Sequence, residues 1–334
     1  MKPQRIACAV TIVRVLISSA LLASLALLVG ALPVAEAAKA EKYEESFQRA
    51  EMLAPDGKVQ LINIAGDVKI LVWNRAEVKI DAVKISRAGS VEKAKENATR
   101  VKIEIRRKDN QLTVETKYPE GRWTKNTSNV SVNYVLTLPS KAGATVSNIS
   151  GSVDADNVGG LIKLMAVSGN IAVTGSTSNA VLEAVSGNIT LRDVAGDVKA
   201  STVSGDILVE RAAGSLTAES VSGKVTARDL AGTNSADVSS SSGNIFLEGG
   251  LNPAGSYTLE SHSGDITVSV PGSAAFDFTA WTFSGEFFSD FKVATELTGR
   301  AKGLRHDIRG QVNGGGSDLT LKSFSGDINL EKRD

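Results

Sequence analysis

Along most of the chain, apolar residues fall at alternate positions in short runs, and glycine, asparagine or aspartate punctuates the runs. "ITLRD" (189–193), "ILVER" (207–211), "VTARD" (225–229) and "ITVSV" (266–270) show the pattern. Period-two alternation predicts a strand with one buried and one wet face. The runs are tied together by a second period. Ser150-Gly151, Ser168-Gly169, Ser186-Gly187, Ser204-Gly205 and Ser222-Gly223 follow one another at intervals of 18 residues. The interval loosens to 20, 21 and 21 for Ser242-Gly243, Ser263-Gly264 and Ser284-Gly285, and Ser325-Gly326 comes 41 residues later. A weaker half-repeat adds Gly160, Gly196, Gly214 and Gly232. Self-similarity at a fixed short period is the signature of a solenoid. Each coil is predicted to carry two strands, with glycine at the corners, where the backbone turns most tightly. One coil buries too few side chains to offset the ordering of its own backbone, so only the stack is stable. The predicted fold class is all-β: a single-stranded β-solenoid, parallel β-helix or β-roll-like, with about 18–21 residues per coil. Ala200, Ala218 and Ala227 fall at inward positions and predict a narrow interior.

Residues 43–140 break the period and read as an N-terminal strand-rich capping unit, ahead of a solenoid region over 141–334 with aromatic-rich last coils. "KVQLINIAGDVKILVW" and "EVKIDAVKIS" alternate around a Gly-Asp turn. "SVEKAKENATR" (90–100) predicts a short helix capped by Ser90. "VKIEIRRKDNQLTVETKY" predicts a hairpin turning at Asp109-Asn110, and "NVSVNYVLTLP" a strand ended by Pro139. Such a unit would cover a ladder end that otherwise invites edge-to-edge association. "GLRHDIRGQVNGGGSDL" (303–319) reads as a loop or ragged hairpin with Gly314–Gly316 as its loosest part.

The first 38 residues stand apart. Lys2, Arg5 and Arg14 are followed by an apolar stretch from Val15 to Leu32 and an A-x-A triplet at Ala35-Glu36-Ala37. This is the pattern of a secretory signal peptide. An uncleaved anchor is the alternative, since about 18 apolar residues can just span a bilayer. Pro33 and the small residues after it favour cleavage, and membrane contact is expected only if the segment stays attached. The chain's one cysteine, Cys8, lies ahead of the apolar stretch. A cleaved chain would hold no disulfide, and its stability in the periplasm, at the cell surface or outside the cell would rest on the stacked ladder. Lys+Arg and Asp+Glu are equal at 37 each, which gives no electrostatic footprint for nucleic acid.

A leader, Gly66-Asp67-Val68, serial Ser-Gly-[Asp/Asn]-Ile units and a closing "SFSGDINLEK" together carry a family resemblance. Over roughly 43–332 the chain resembles the bacterial "putative adhesin" family of β-strand repeat proteins, a domain of unknown function. The resemblance implies an exported β-solenoid, and it carries no catalytic or binding residues across. Fold-level likeness does not establish function.

Candidate chemistry is sparse. After each Ser-Gly stands a polar column, Ser152, Asn170, Asn188, Asp206, Lys224, Asn244, Asp265, Glu286 and Asp327, expected to bond to its own turn backbone. A calcium roll needs G-G-x-G-x-D units, and Lys224 would oppose an ion ladder. Asp206 and Asp265 lie three coils apart, while Asp193, Asp229 and Asp237 read as scattered among loops, so no carboxylate pair converges. His262 and His306 are isolated and no nucleophile elbow accompanies them, so no catalytic residue, metal ligand or cofactor is assigned. Outward strand positions mix both signs: Arg192, Glu210, Thr226, Arg228, Glu248. Leu208 and Phe246 also fall outside by alternation, marking either a partner-contact strip or a parity slip at a bulge. Seven aromatics lie between Phe276 and Phe291, either core of the last coils or an exposed platform. Trp281, Phe287, Phe288, Leu208 and Phe246 are therefore the candidate ligand surface. The reading is an exported, non-enzymatic adhesin-like or cell-envelope scaffold for an envelope or extracellular protein or glycan. A protein binding or degrading cell-wall polysaccharide is the alternative.

Overall fold

The computed structural model describes residues 40–119, 129–297 and 306–333, so the segment expected to be a signal peptide, with its expected cleavage site, lies outside the described residues. Two sheets carry the fold, one of 13 strands and one of 14. Each coil runs up the 14-stranded sheet, turns at Ser-Gly and continues in the 13-stranded sheet: Val198–Ser204 then Ile207–Ala212, Leu216–Ser222 then Val225–Leu230. Neighbouring coils pair in parallel at equivalent repeat positions. Ser186 faces Ser204, which faces Ser222; Ile189 faces Ile207, which faces Val225.

The corner glycines are required by close approach. A Cβ on Gly205 would stand 2.2 Å from the carbonyl oxygen of Gly187, and one on Gly187 2.0 Å from that of Gly169. The Gly187 carbonyl also accepts a hydroxyl bond from Thr202 of the next coil, and the Gly205 carbonyl one from Ser220, both at 3.2 Å. Inside, Ile189, Ile207, Val225 and Ile245 stack in one column, and Leu182, Ala200, Ala218 and Val238 in the facing one, all buried. Alternation thus sends one residue in two into a continuous apolar seam.

At the N-terminal end the chain does not stack in sequence order. Lys58–Ala65 pairs on one side with Gly143–Ser150 and on the other with Gln111–Lys117. Val68–Trp73 likewise lies between Val153–Asp156 and Val130–Pro139. Beyond these, Glu77–Ala88 and Glu41–Met52 extend one sheet antiparallel, and Lys102–Lys108 ends the other. The hairpin turns where the sequence predicts it, with Asp109 at φ 53°. Helix α1 (Val91–Arg100) is capped by the Ser90 hydroxyl, which accepts from the Lys93 amide, and it buries Ala94 and Ala98.

The C-terminal end repeats the trick. Ser317–Ser323 and Ile328–Arg333, the last coil in sequence, pair on one side with Ser256–Ser261 and Ile266–Pro271. On the other side they pair with Phe276–Thr282 and Phe287–Ser289. The last repeat is therefore second from the end in space. His306–Val312 pairs antiparallel with the far edge of Phe276–Thr282. The stretch 303–319 is thus no hairpin, because its two strands flank a third; residues 303–305 lie outside the described residues.

Candidate functional site

The polar column is a ladder between coils, and this corrects the expectation of bonds within each turn. The Asn170 side-chain Oδ1 accepts from the backbone N–H of Asn188 in the next coil at 2.9 Å, Asn188 Oδ1 from that of Asp206 at 2.9 Å, and Asp206 Oδ1 from that of Lys224 at 2.8 Å. Past Lys224, whose ammonium cannot accept, Asn244 takes up the series with Asp265, which accepts from Asp327. These carboxylates and amides satisfy corner amides that no strand partner reaches. Among the described residues no group of three or more potential metal ligands forms.

On the outer face of the 13-stranded sheet, charges alternate from coil to coil. Glu210 meets Arg192 at 2.6 Å and Arg228 at 3.5 Å, and Arg228 meets Glu248 at 2.9 Å. The Arg192 hydrogen bond, reinforced by Arg228, holds the Glu210 carboxyl below its usual range. Asp193 and Asp229, read from sequence as scattered, share a kinked column with Arg211 between them, all three at φ of 54–57°. Arg211 clasps Asp193 through two bonds, at 2.6 and 3.0 Å.

Leu208 and Phe246 stand on this same outer face with no slip of parity. Leu208 faces Thr226, which faces Phe246. Thr226, expected in solvent, is buried between them. Phe288 joins the column further along, beyond Thr267 and Asn329, and is 50% exposed. The other two candidates go elsewhere. Phe287 stacks on Phe278 at 5.5 Å and packs against the core. Trp281 lies half-buried on the opposite sheet, across from Lys322. Phe276, Phe278 and Phe291 are buried. The five candidates therefore do not form one surface.

What the sequence reading missed lies on the outer face of the 14-stranded sheet. Beside the Ser-Gly corner, Ile149, Val167, Val203 and Val221 point outward in successive or near-successive coils and stay about half exposed. In the equivalent place the later coils carry Ser241, His262, Phe324 and Phe283. His262 stacks on Phe324 at 4.9 Å, and Phe324 on Phe283 at 4.9 Å. Where the valines give way to the rings, a groove of about 650 Å³ opens, bounded by Glu219, Val221, Ser239, Ser241, Glu260 and His262. Glu260 is paired with Lys322 at 2.5 Å. The signal was present in the sequence as the residue before each Ser-Gly, which is Val, Val, Val, Val, Ser, His, Phe and Phe from position 167 onward in chain order. A second depression, about 770 Å³, lies on the same face, but Gln311 and Asp277 bond across it at 2.8 Å.

Stacked coils joined by Ser-Gly corners, with outward columns of like side chains, define a β-strand repeat protein. The model of the Toastrack DUF4097 family matches residues 59–331, and the chain belongs to that family of unknown function. No curated protein matches it. Three solved structures illustrate the likeness. A putative cell adhesion protein from Clostridium sporogenes is 13% identical, covering 86% of this chain and 100% of the other, with a TM-score of 0.27. A putative adhesin from Bacteroides fragilis is 13% identical, covering 86% and 97%, with a TM-score of 0.37. A putative lipid binding protein from Parabacteroides distasonis is 12% identical, covering 86% and 97%, with a TM-score of 0.38.

Proposed function

We propose that the protein is an exported, non-enzymatic binding scaffold of the adhesin-like kind, working from the cell envelope or beyond it through the outer faces of its sheets. The observation that carries this reading is the exposed apolar column beside the Ser-Gly corners. Single exposed valines need no explanation, but a row repeated coil after coil keeps desolvation-ready surface in one line. The backbone beneath it is cross-bonded on both sides, so little conformational entropy is lost when a partner settles there. Export is supported by the basic, apolar and A-x-A order of residues 1–38.

Protease shaving of intact producing cells, read by mass spectrometry for peptides from 150–330, tests the reading. Release from unbroken cells is expected for an adhesin. Release only after the outer envelope is opened would confine the scaffold to the periplasm. Peptides found only in the cytoplasmic fraction would end the proposal.

A further inference from the structure

We infer that the groove at Ser239 and Ser241 is a glycan site that takes one pyranose ring edge-in. This inference rests on the scaffold reading and gives it a ligand class. The strand Ser235–Ser242 lies between Leu216–Ser222 and Ser256–Ser261. At its two outward positions near the corner it carries serines, where the flanking strands carry Glu219 and Val221 on one side and Glu260 and His262 on the other. Strands two apart are about 10 Å from each other. Subtracting the van der Waals half-thickness of each wall leaves a slot of about 6 Å, room for one flat ring about 4 Å thick.

The walls have the two-sided character of a sugar. His262 has one ring face on Phe324, which leaves its other face turned toward the Ser241 coil. Val221, 52% exposed, supplies methyls opposite. Those two surfaces suit the C–H faces of a pyranose. Its hydroxyls meet the Ser239 and Ser241 side chains and the carboxylates of Glu219 and Glu260, which accept in strong charge-assisted bonds. Glu260 is held in place by Lys322, whereas Glu219 has no partner among the described residues. Trp281, in line beyond Lys322, edges the same groove and offers a further apolar shelf to the next sugar of a chain.

Other ligand classes fit less well. A phosphate would face two carboxylates across a few ångströms. An acyl chain would strip water from those carboxylates and return no hydrogen bond. A peptide cannot add as a strand, because this is the face of a fully paired sheet.

The test is a glycan array carrying peptidoglycan strands, bacterial polysaccharides and animal glycans, probed with the full chain after removal of the leader. Binding to at least one pyranose glycan is expected, and the class bound separates an envelope source from a host source. Ser241→Phe, which would continue the ring stack of the next coils, should weaken that binding at least tenfold with an unchanged melting curve. Ser241→Val copies the chain's own Val203 and Val221 and serves if the phenylalanine does not fold. Glu219→Gln should weaken binding severalfold, and Gly89→Ala, where an added methyl meets nothing within 4 Å, should leave it unchanged. Binding by wild type that survives both Ser241 substitutions would place the glycan elsewhere and overturn the inference while leaving the scaffold reading intact. No glycan bound, with the protein still adhering to whole cells or to anionic and neutral lipid vesicles, would likewise overturn the slot alone. No adhesion to any of these would overturn both.

Discussion

A side chain at the Ser-Gly corner has nowhere to go. The carbonyl of the coil below fills the space a Cβ would need, and the neighbouring hydroxyl already bonds to that same carbonyl. Gly205→Val should therefore force two coils apart and cost about 2–4 kcal/mol, combining overpacking with backbone strain. Gly89→Ala, with nothing within 4 Å of the added methyl, is the matching control and should stay within about 0.5 kcal/mol. Chemical denaturation of the two variants settles the comparison, and equal midpoints would count against the close-approach account. The glycine column was legible because one residue type alone meets a steric demand repeated at every coil. The polar residue after it was legible as a corner but not as a ladder, since its partner lies one coil away and sequence shows only the near neighbours.

Between strands, the outer face of the 13-stranded sheet is held by charges that alternate across coils. Glu210 lies between Arg192 and Arg228, and its folded-state pKa is depressed below the usual 4.5. A depressed carboxylate contributes stability that is present above the unfolded pKa and fades as pH falls through the folded one. Stability should thus drop as pH falls from about 5 to 3, and Glu210→Gln should flatten that slope. Melting temperatures at matched ionic strength across this range would show it; an identical slope would mean the ladder is fully screened. Element types were readable here because period-two alternation, the Ser90 cap and the Asp109-Asn110 turn are all local signals. The groove was not readable. Glu219, Ser241 and His262 come into line by the regular repeat, but Lys322 and Phe324 come beside Glu260 and His262 only because the last coil stacks out of order.

At the scale of the molecule, that order is the main surprise. Every corner presents the same glycine to its neighbours, so no local signal says which coil rests on which. Deleting residues 187–204 would join Ser186 to Gly205 and remove one coil cleanly, and the shortened chain should still melt cooperatively. Deleting 317–333 removes a coil from inside the stack and leaves Phe276–Thr282 without its parallel partner. That chain should be insoluble or lose cooperative melting. Circular dichroism during heating distinguishes the two, and a C-terminal deletion as cooperative as the full chain would contradict the inserted coil.

The two out-of-order ends also bear on how such a protein changes length over generations. A duplicated 18-residue segment placed between Gly169 and Gly223 meets identical corners above and below, so it can be accepted in one genetic event. Added after the last coil, the same segment would follow strands already paired on both sides, and ahead of Glu41 it would meet an antiparallel edge strand with no Ser-Gly corner to stack on. Lineages that lengthen or shorten this ladder are thus expected to do so in the middle, while the two ends pass unchanged from ancestor to descendant.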